Sequence, residues 1–425
     1  VIKTFTVLGG GSAYTPGLVA ALLHHRARLD LTELRLHDLD LDHLDVVARL
    51  AQGMSDAVGG ALRVRACPRL DEAIAGADAI LNSTRPGGLT ARLVDETVPV
   101  ALGVPGQETV GPGGYFFARR SVPEALRVAD VVAGEAPQAW LLNYTNPTNL
   151  VTQALTARGG VRVVGLCDQS DGDLEVLRDA LGLTGRPHFA SAGTNHATWY
   201  SGLSFGGQAV TRIPETLAEV HHHDEEHALR FACSHALALG LGPEGEGAWP
   251  NSYLPYYTHP ELFVALSRRS TPRAQVILDK LPSYYRHFAE EAQRTPPLLR
   301  HHRGTAGFGD MAVEVLAALA RPSGQRLVLN VPSHGAQPGF DDDTVVELCV
   351  EVTPTGLVRV PGPPVPAPFA ALHQRIERYQ RAAAEAVVRG ERAAEVEALA
   401  LNPLVGTADL AAQLLADSDA ALAAR

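Results

Sequence analysis

Cysteine is scarce in this chain. The four cysteines (Cys67, Cys167, Cys233, Cys349) in 425 residues lie too far apart to form a disulfide framework, and a reducing cytoplasm is the expected setting. No uninterrupted apolar run reaches the roughly 20 residues that a membrane helix needs. The first residues, Val1 to Leu8, read directly as a strand, and no signal peptide is expected. A basic excess is also missing. Lys and Arg together number 36 against 47 for Asp and Glu, a formal net charge of −11. Nucleic acid and anionic membranes both require a basic face, so neither is expected as a partner. A small anionic substrate stays open, because a few arginines can dominate one pocket. Hydrophobic residues make up 46% and charged residues 20% of the chain, an ordinary globular mixture. The length suffices for two or three packed units.

The first 165 residues repeat one rhythm: a short β-branched run, a turn, then a stretch of helical spacing. Strands are predicted at Phe5 to Leu8, Leu34 to His37, Ala79 to Leu81, Trp140 to Asn143 and Val161 to Leu166. Alternation of this kind implies a parallel sheet with helices on both faces. The second half carries long Ala/Leu/Arg stretches of helical period, such as 365–400, and two segments, 326–332 and 344–359, that resemble antiparallel strands. The expected fold is α/β: a Rossmann-type doubly wound parallel sheet over 1–165, with an α+β domain over 166–425, the plan of lactate and malate dehydrogenases.

Gly9-Gly10-Gly11-Ser12-Ala13-Tyr14 follows the first strand and opens the first helix. Small residues there let the backbone approach a pyrophosphate, and the helix N-terminus offers free N–H groups to it. Tyr14 stands where the usual fingerprint has a third glycine. Asp38 ends the second strand, as expected of a carboxylate that grips a ribose 2′-hydroxyl and repels a 2′-phosphate, which favours NAD over NADP. The bland alternative is a glycine-rich turn and a capping aspartate.

Further polar segments should meet at the carboxyl ends of the strands. They are Arg85-Pro86-Gly87-Gly88 with Arg92, Gly106-Gln107-Glu108-Thr109, Gly111-Pro112-Gly113-Gly114, Asn143 to Pro147, and Gly165-Leu166-Cys167-Asp168. A thiolate at Cys167 and an imidazole at His196 could together hold a divalent metal with open positions for substrate oxygens. Spacing alone leaves open that Cys167 is a small buried hydrophobe and His196 a structural histidine. The louder run His221-His222-His223-Asp224-Glu225-Glu226-His227 resembles the zinc-protease H-E-x-x-H helix, yet its charge reads as a solvated helix face. His301-His302 is read the same way.

Taken together these motifs resemble glycoside hydrolase family 4, the NAD- and metal-dependent glycosidases, and among them the 6-phospho-glucosidases. The resemblance rests on Gly9 to Pro16, on Arg85-x-Gly87-Gly88-x-x-x-Arg92 and on the run Gly106 to Gly114. It extends through Thr145-Asn146-Pro147, Gly165-Leu166-Cys167, Asn195-His196, Pro250 to Tyr257 and Asn402 to Val405. The family departs from the two-carboxylate route of most glycosidases. The resemblance implies oxidation of the sugar C3 hydroxyl by NAD, removal of the acidified C2 proton, elimination of the aglycone, addition of water and re-reduction. By position it implies metal ligands at Cys167 and His196, with Mn2+ as the expected ion, and a catalytic base at Tyr253. It also implies a phosphate grip by Arg92 and Arg273, and contacts to sugar or nicotinamide from Asn146 and Asn195. Glu108 and Asp168 are the carboxylates expected near the chemistry. Gly9, Gly11, Ser12, Ala13, Tyr14, Asp38 and Asn146 are expected at the cofactor. The implied substrate is a phosphorylated disaccharide or aryl glycoside, and the implied assembly a homodimer or homotetramer, with 1–165 as the NAD-binding unit and 166–425 as the substrate, metal and oligomerisation unit.

Three departures bear on the substrate. Cys167 is followed by Asp168-Gln169-Ser170, where phospho-glucosidases tend to end in proline, and the aspartate leans toward α-glucosides. Gly245-Glu246-Gly247-Ala248-Trp249 lacks the aspartate that α-type enzymes place before the base, which leans toward β-glucosides. Pro255 replaces a polar residue. The motif wording as a whole favours a 6-phospho-β-glucosidase over a 6-phospho-α-glucosidase or an unphosphorylated glycosidase. Rivals of another class are an NAD-dependent 2-hydroxy-acid dehydrogenase, which lacks a metal-binding cysteine, and a non-catalytic NAD-sensing module.

Overall fold

The computed structural model describes residues 1–210, 225–241, 248–301, 303 and 307–425. Six strands come first: β1 (Thr4–Leu8), β2 (Glu33–His37), β3 (Arg63–Ala66), β4 (Ala79–Asn82), β5 (Trp140–Asn143) and β6 (Arg162–Gly165). They are mutually parallel in the order β3-β2-β1-β4-β5-β6, the doubly wound order that binds ligands where it reverses, beside β1. The predicted strands are all present. Of these six strands only β3 escaped the sequence reading: it is a four-residue edge strand, Arg-Val-Arg-Ala, with no buried residue to give it an apolar signature.

Register explains why the site forms. Leu8 lies opposite both His37 and Asn82, Asn82 opposite Asn143, and Asn143 opposite Gly165. The carboxyl ends of five strands therefore form one row, and every loop leaving that row starts at the same edge. Within the strands successive residues face opposite helical layers. Phe5 and Val7, with Leu81 and Leu142, belong to a core under the helices Thr15–His24, Leu41–Ala57 and Gly307–Ala320. Leu8, Ile80 and Leu141 belong to a second core under Gly111–Glu135, Thr148–Arg158 and Ala370–Arg389. Each such side chain contributes about 1.5–3 kcal/mol by leaving water.

The second half builds a small antiparallel sheet from β7 (Pro187–Thr194), β8 (Ala197–Phe205), β9 (Gln208–Ala209) and β10 (Ala248–Pro250), with β8 between β7 and β10. It then returns to the first sheet. Strands β11 (Gln325–Pro332), β12 (Val345–Thr353) and β13 (Gly356–Arg359) are the antiparallel strands expected there, and β11 lies against β6 through the pair Asn330 and Gly165. The result is one nine-stranded sheet that contains strands from both halves of the chain. The helical stretch 365–400 is two helices, Ala370–Arg389 and Arg392–Leu401, separated at Gly390, which takes the left-handed conformation of a C-terminal cap (φ 68°). Among the described residues no helix is long and apolar enough to cross a membrane.

Candidate active site

A cavity of about 920 Å³ lies over the carboxyl edge of the parallel strands, large enough for a sizeable ligand. Its cofactor end is the turn after β1. The Gly9 and Gly10 N–H groups both donate to the His37 carbonyl, at 2.9 and 2.8 Å, which pins the turn to the end of β2. Gly9 has φ 83°, and a Cβ there would stand 2.8 Å from the Ser83 carbonyl oxygen, so only glycine fits. Asp38 accepts from the Gly11 N–H at 2.9 Å and faces the cavity. Gly9, Ser12, Tyr14, Asp38 and Asn146 line the cavity, whereas Gly11 and Ala13 form the wall of the turn behind it. This narrow cradle at a helix start, with a carboxylate at the end of β2, fits a dinucleotide.

The next wall is an arginine–carboxylate cluster. Glu108 pairs with Arg85, and with Arg92 at 2.9 Å. Arg92 also holds Glu96 at 2.6 Å, and the second Glu96 oxygen accepts from the Ala274 N–H at 2.8 Å. That bond fixes the start of the helix Arg273–Glu291, whose residues Arg273, Val276, Ile277, Lys280 and Tyr284 form one face toward the cavity. Burial opposes the Glu108 charge, but Arg85 and Arg92, with Arg303 nearby, outweigh it and bring the carboxyl down to about 2. Glu108 is therefore a fixed anion, poorly suited to donate a proton. The glycines around it are packing requirements: a Cβ on Gly106 would overlap the Glu96 carbonyl oxygen at 1.8 Å.

Cys167, just past β6, and His196, in the two-residue turn between β7 and β8, meet with Sγ and Nε2 3.6 Å apart. His196 is buried and left-handed (φ 64°), a conformation that costs a non-glycine residue about 1–3 kcal/mol and gathers at functional sites. Its tautomer follows from its neighbours. Gln107 Oε1 accepts from the Thr109 and Val110 N–H groups and from the Thr109 hydroxyl, at 2.6–2.7 Å. The Thr109 hydroxyl, having given its proton to Gln107, accepts from His196 Nδ1 at 2.8 Å. Nε2 is then left with its lone pair directed at the Cys167 side. Burial, reinforced by Arg230, lowers the imidazole to about 3, so it is neutral.

This donor set fits a divalent first-row metal. A cysteine sulfur and a neutral imidazole nitrogen 3.6 Å apart are near enough for one ion to be held between them. Among the described residues no third Cys, His, Asp or Glu completes a cluster, which suits an ion that leaves positions for substrate oxygens. Burial, Glu347 and Asp168 push the Cys167 thiol well above its ordinary value, so a cation is what would make it a thiolate.

Tyr253 lines the same cavity and stacks on His196, with centroids 4.1 Å apart and planes 6° apart. The Arg230 guanidinium also lies over the Tyr253 ring, at 3.7 Å, held by Ser252, whose carbonyl accepts from its Nε at 3.2 Å. Burial raises the Tyr253 phenol to about 12, with Arg230 pulling against it.

Of the expected site residues, Glu108, Asp168, Cys167, His196, Tyr253 and Arg273 face the cavity. Arg92 and Asn195 stand one layer back, Arg92 between two carboxylates and Asn195 donating to Glu347 at 2.8 Å. Sequence reasoning missed Gln107 as the group that sets the histidine tautomer, Arg230 over the phenol, and Arg303, which lines the cavity over the Tyr14 ring at 4.5 Å. An arginine on the buried side of the helix Glu225–Gly240 was the one available signal for Arg230. His221 to Asp224, Gly245 to Gly247 and His302 lie outside the described residues. His227 sits partly buried in the helix Glu225–Gly240, and His301 is exposed.

Fold and site together define an enzyme of the Rossmann class. The chain belongs to glycosyl hydrolase family 4: residues 4–183 match the family profile described as "Family 4 glycosyl hydrolase", and 191–405 match "Family 4 glycosyl hydrolase C-terminal domain". It is 29% identical to a probable 6-phospho-β-glucosidase of Bacillus subtilis (strain 168), over 97% of this chain and 95% of that protein. A solved 6-phospho-α-glucosidase from gut microorganisms, in complex with NAD and Mn2+, superposes with a TM-score of 0.89 at 23% identity, covering 100% of this chain and 98% of that one. A malate dehydrogenase from Plasmodium falciparum shares the general plan, with a TM-score of 0.55 at 9% identity over 91% of this chain and 99% of that one.

Proposed function

We propose that this chain hydrolyses 6-phospho-β-glucosides with NAD and a divalent metal, Mn2+ being the expected ion. The observation that carries the reading is one cavity in which the Gly9 turn, the Cys167–His196 pair and the Tyr253 phenol all face the same space. When bound, the dinucleotide supplies reversible oxidation at the sugar C3 hydroxyl, and the metal supplies Lewis acidity at the neighbouring oxygens.

The chain's own residues supply the rest. Asp38 receives the ribose hydroxyls, and the turn from Gly9 to Tyr14 faces the pyrophosphate. Arg230, over the ring, favours the Tyr253 phenolate, which takes the proton from C2 once the adjacent carbon is a ketone and becomes the neutral phenol. Glu108 stays ionised between Arg85 and Arg92, which leaves Asp168 as the carboxyl at this end that can give a proton to the leaving oxygen. Arg273, Lys280 and Arg303 line the cavity as cations for the 6-phosphate, and Arg92 supports them through Glu96 and Glu108.

The β-anomer is supported by the motif wording and by the name of the Bacillus subtilis relative. Asp168 after Cys167 favours the α-anomer as a second reading. The test is hydrolysis of p-nitrophenyl β-glucoside 6-phosphate in reducing buffer, with and without NAD and Mn2+, beside the α-anomer and the unphosphorylated sugars. Activity that needs both additives and prefers the β-phosphate is expected. Preference for the α-phosphate overturns the anomer alone. No turnover of any glycoside, together with oxidation of a 2-hydroxy acid, overturns the whole reading.

A further inference from the structure

Glu347 is an acid in an otherwise apolar strand, Val345-Val346-Glu347-Leu348-Cys349. It lies on β12 opposite Asn330 of β11, is 1% exposed, and has no arginine or lysine partner among the described ion pairs. A buried carboxylate is costly unless hydrogen bonds satisfy it, and its partners show what it is for. One oxygen accepts from Asn195 Nδ2 at 2.8 Å and from Asn330 Nδ2 at 3.4 Å. The other accepts from Thr198 Oγ1 at 2.6 Å and from Ser170 Oγ at 3.2 Å.

Three of these donors come from the segments that carry the metal-fitted pair. Asn195 and Thr198 flank His196, the left-handed residue of its turn. Ser170 ends the tetrapeptide that begins at Cys167. The network also reaches the phenol. Ser170 Oγ accepts from the Tyr200 hydroxyl at 2.9 Å, that hydroxyl accepts from Asn251 Nδ2 at 3.0 Å, and Asn251 Oδ1 accepts from the Tyr253 N–H at 2.9 Å. One carboxylate thus ties together the three loops that hold Cys167, His196 and Tyr253, and adds negative charge behind the thiol.

We propose that Glu347 is a positioning residue for the metal: it fixes the spacing of Cys167 and His196 and supplies charge behind them, so that metal affinity depends on it although it touches neither ligand. Outer partners of this kind change metal affinity by about 10–100-fold when altered. The proposal rests on the assignment of Cys167 and His196 as the metal pair.

The experiment measures Mn2+ binding to the NAD-loaded full chain, from the electron paramagnetic resonance signal of free Mn2+, for the wild type, Cys167→Ser and Glu347→Gln. Thermal unfolding in EDTA and NAD affinity are measured for each. Glu347→Gln keeps the side chain's shape and one acceptor oxygen. It is expected to weaken Mn2+ by about 10–100-fold with NAD affinity unchanged and cooperative unfolding retained. Glu347→Asp, which restores the charge, is the companion variant should the glutamine not fold, and is expected to bind Mn2+ more tightly than any neutral replacement that folds. If Cys167→Ser abolishes binding while Glu347→Gln binds as the wild type does, the role of Glu347 is overturned and the metal pair stands. If Cys167→Ser leaves Mn2+ binding intact, the metal pair itself falls, and the role of Glu347 with it.

Discussion

Tyr253 lies flat on His196, planes 6° apart and centroids separated by 4.1 Å. The group read as base and the group read as metal ligand thus share a face, and any movement of one displaces the other. Replacing Tyr253 by Phe keeps this stack and removes only the hydroxyl. The expected result is a fall in kcat of about 10²–10⁴-fold, the worth of a general base, with Mn2+ and NAD affinities unchanged. Steady-state kinetics beside calorimetric titrations of both ligands check it. A variant that keeps its rate removes Tyr253 from the chemistry.

The Cys167 thiol, pushed up by burial and by Glu347 and Asp168, is protonated at neutral pH without metal, while His196, lowered to about 3, carries no proton to displace. Metal binding should therefore release one proton, from the thiol. Since the thiol's value lies above the working range, affinity should rise about tenfold per pH unit between roughly pH 6 and 8. Calorimetry in buffers of different ionisation enthalpy counts the proton directly. Release of none contradicts thiolate ligation.

Arg85 and Arg92 share Glu108, and Arg303 adds a further cation to the same corner of the cavity. Arg303→Gln should raise KM for a 6-phosphorylated substrate by about 10–100-fold, the loss of one hydrogen bond to a charged group, and leave kcat nearly constant. Binding of unphosphorylated glucose should not change. An equal effect on both sugars assigns Arg303 to something other than the phosphate.

His373 is fully buried, its Nε2 accepts from the Trp199 indole N–H at 3.1 Å, and burial lowers it to about 4. Its folded value lies below the unfolded value of about 6.5, so below that pH the unfolded chain binds a proton that the folded one refuses. The stability tied to it is present above about pH 6.5 and is lost as pH falls toward 4, by up to about 1.4 kcal/mol per unit. Denaturant unfolding of the wild type and His373→Gln at pH 7 and pH 5 measures the difference. Equal slopes show that the imidazole is charged in the fold.

The sheet was legible wherever burial on both faces leaves continuous apolar runs, as in β4 and β5. The Gly9 turn was legible because sterics leave it one kind of residue, and Asp38 because its place at a strand end is local. Arg230, Arg303 and Glu347 were not, because their roles arise only when distant segments meet. Glu347 did leave a trace, a single acid between valines and a leucine, which a strand reading discards as noise although burying it has a definite cost. Arg92 shows the converse: its motif was visible, but not that Glu96 and Glu108 would hold it behind the cavity wall.

The sheet shared by both halves bears on the order of synthesis. The parallel strands, the dinucleotide turn and both metal-fitted residues leave the ribosome early, and β12 emerges only near the end. Until it does, the turn carrying His196 lacks the Glu347 carboxylate that accepts from Asn195. A nascent chain can thus shape its dinucleotide cradle well before it can grip a metal, and maturation of the catalytic end is a late, long-range event in folding.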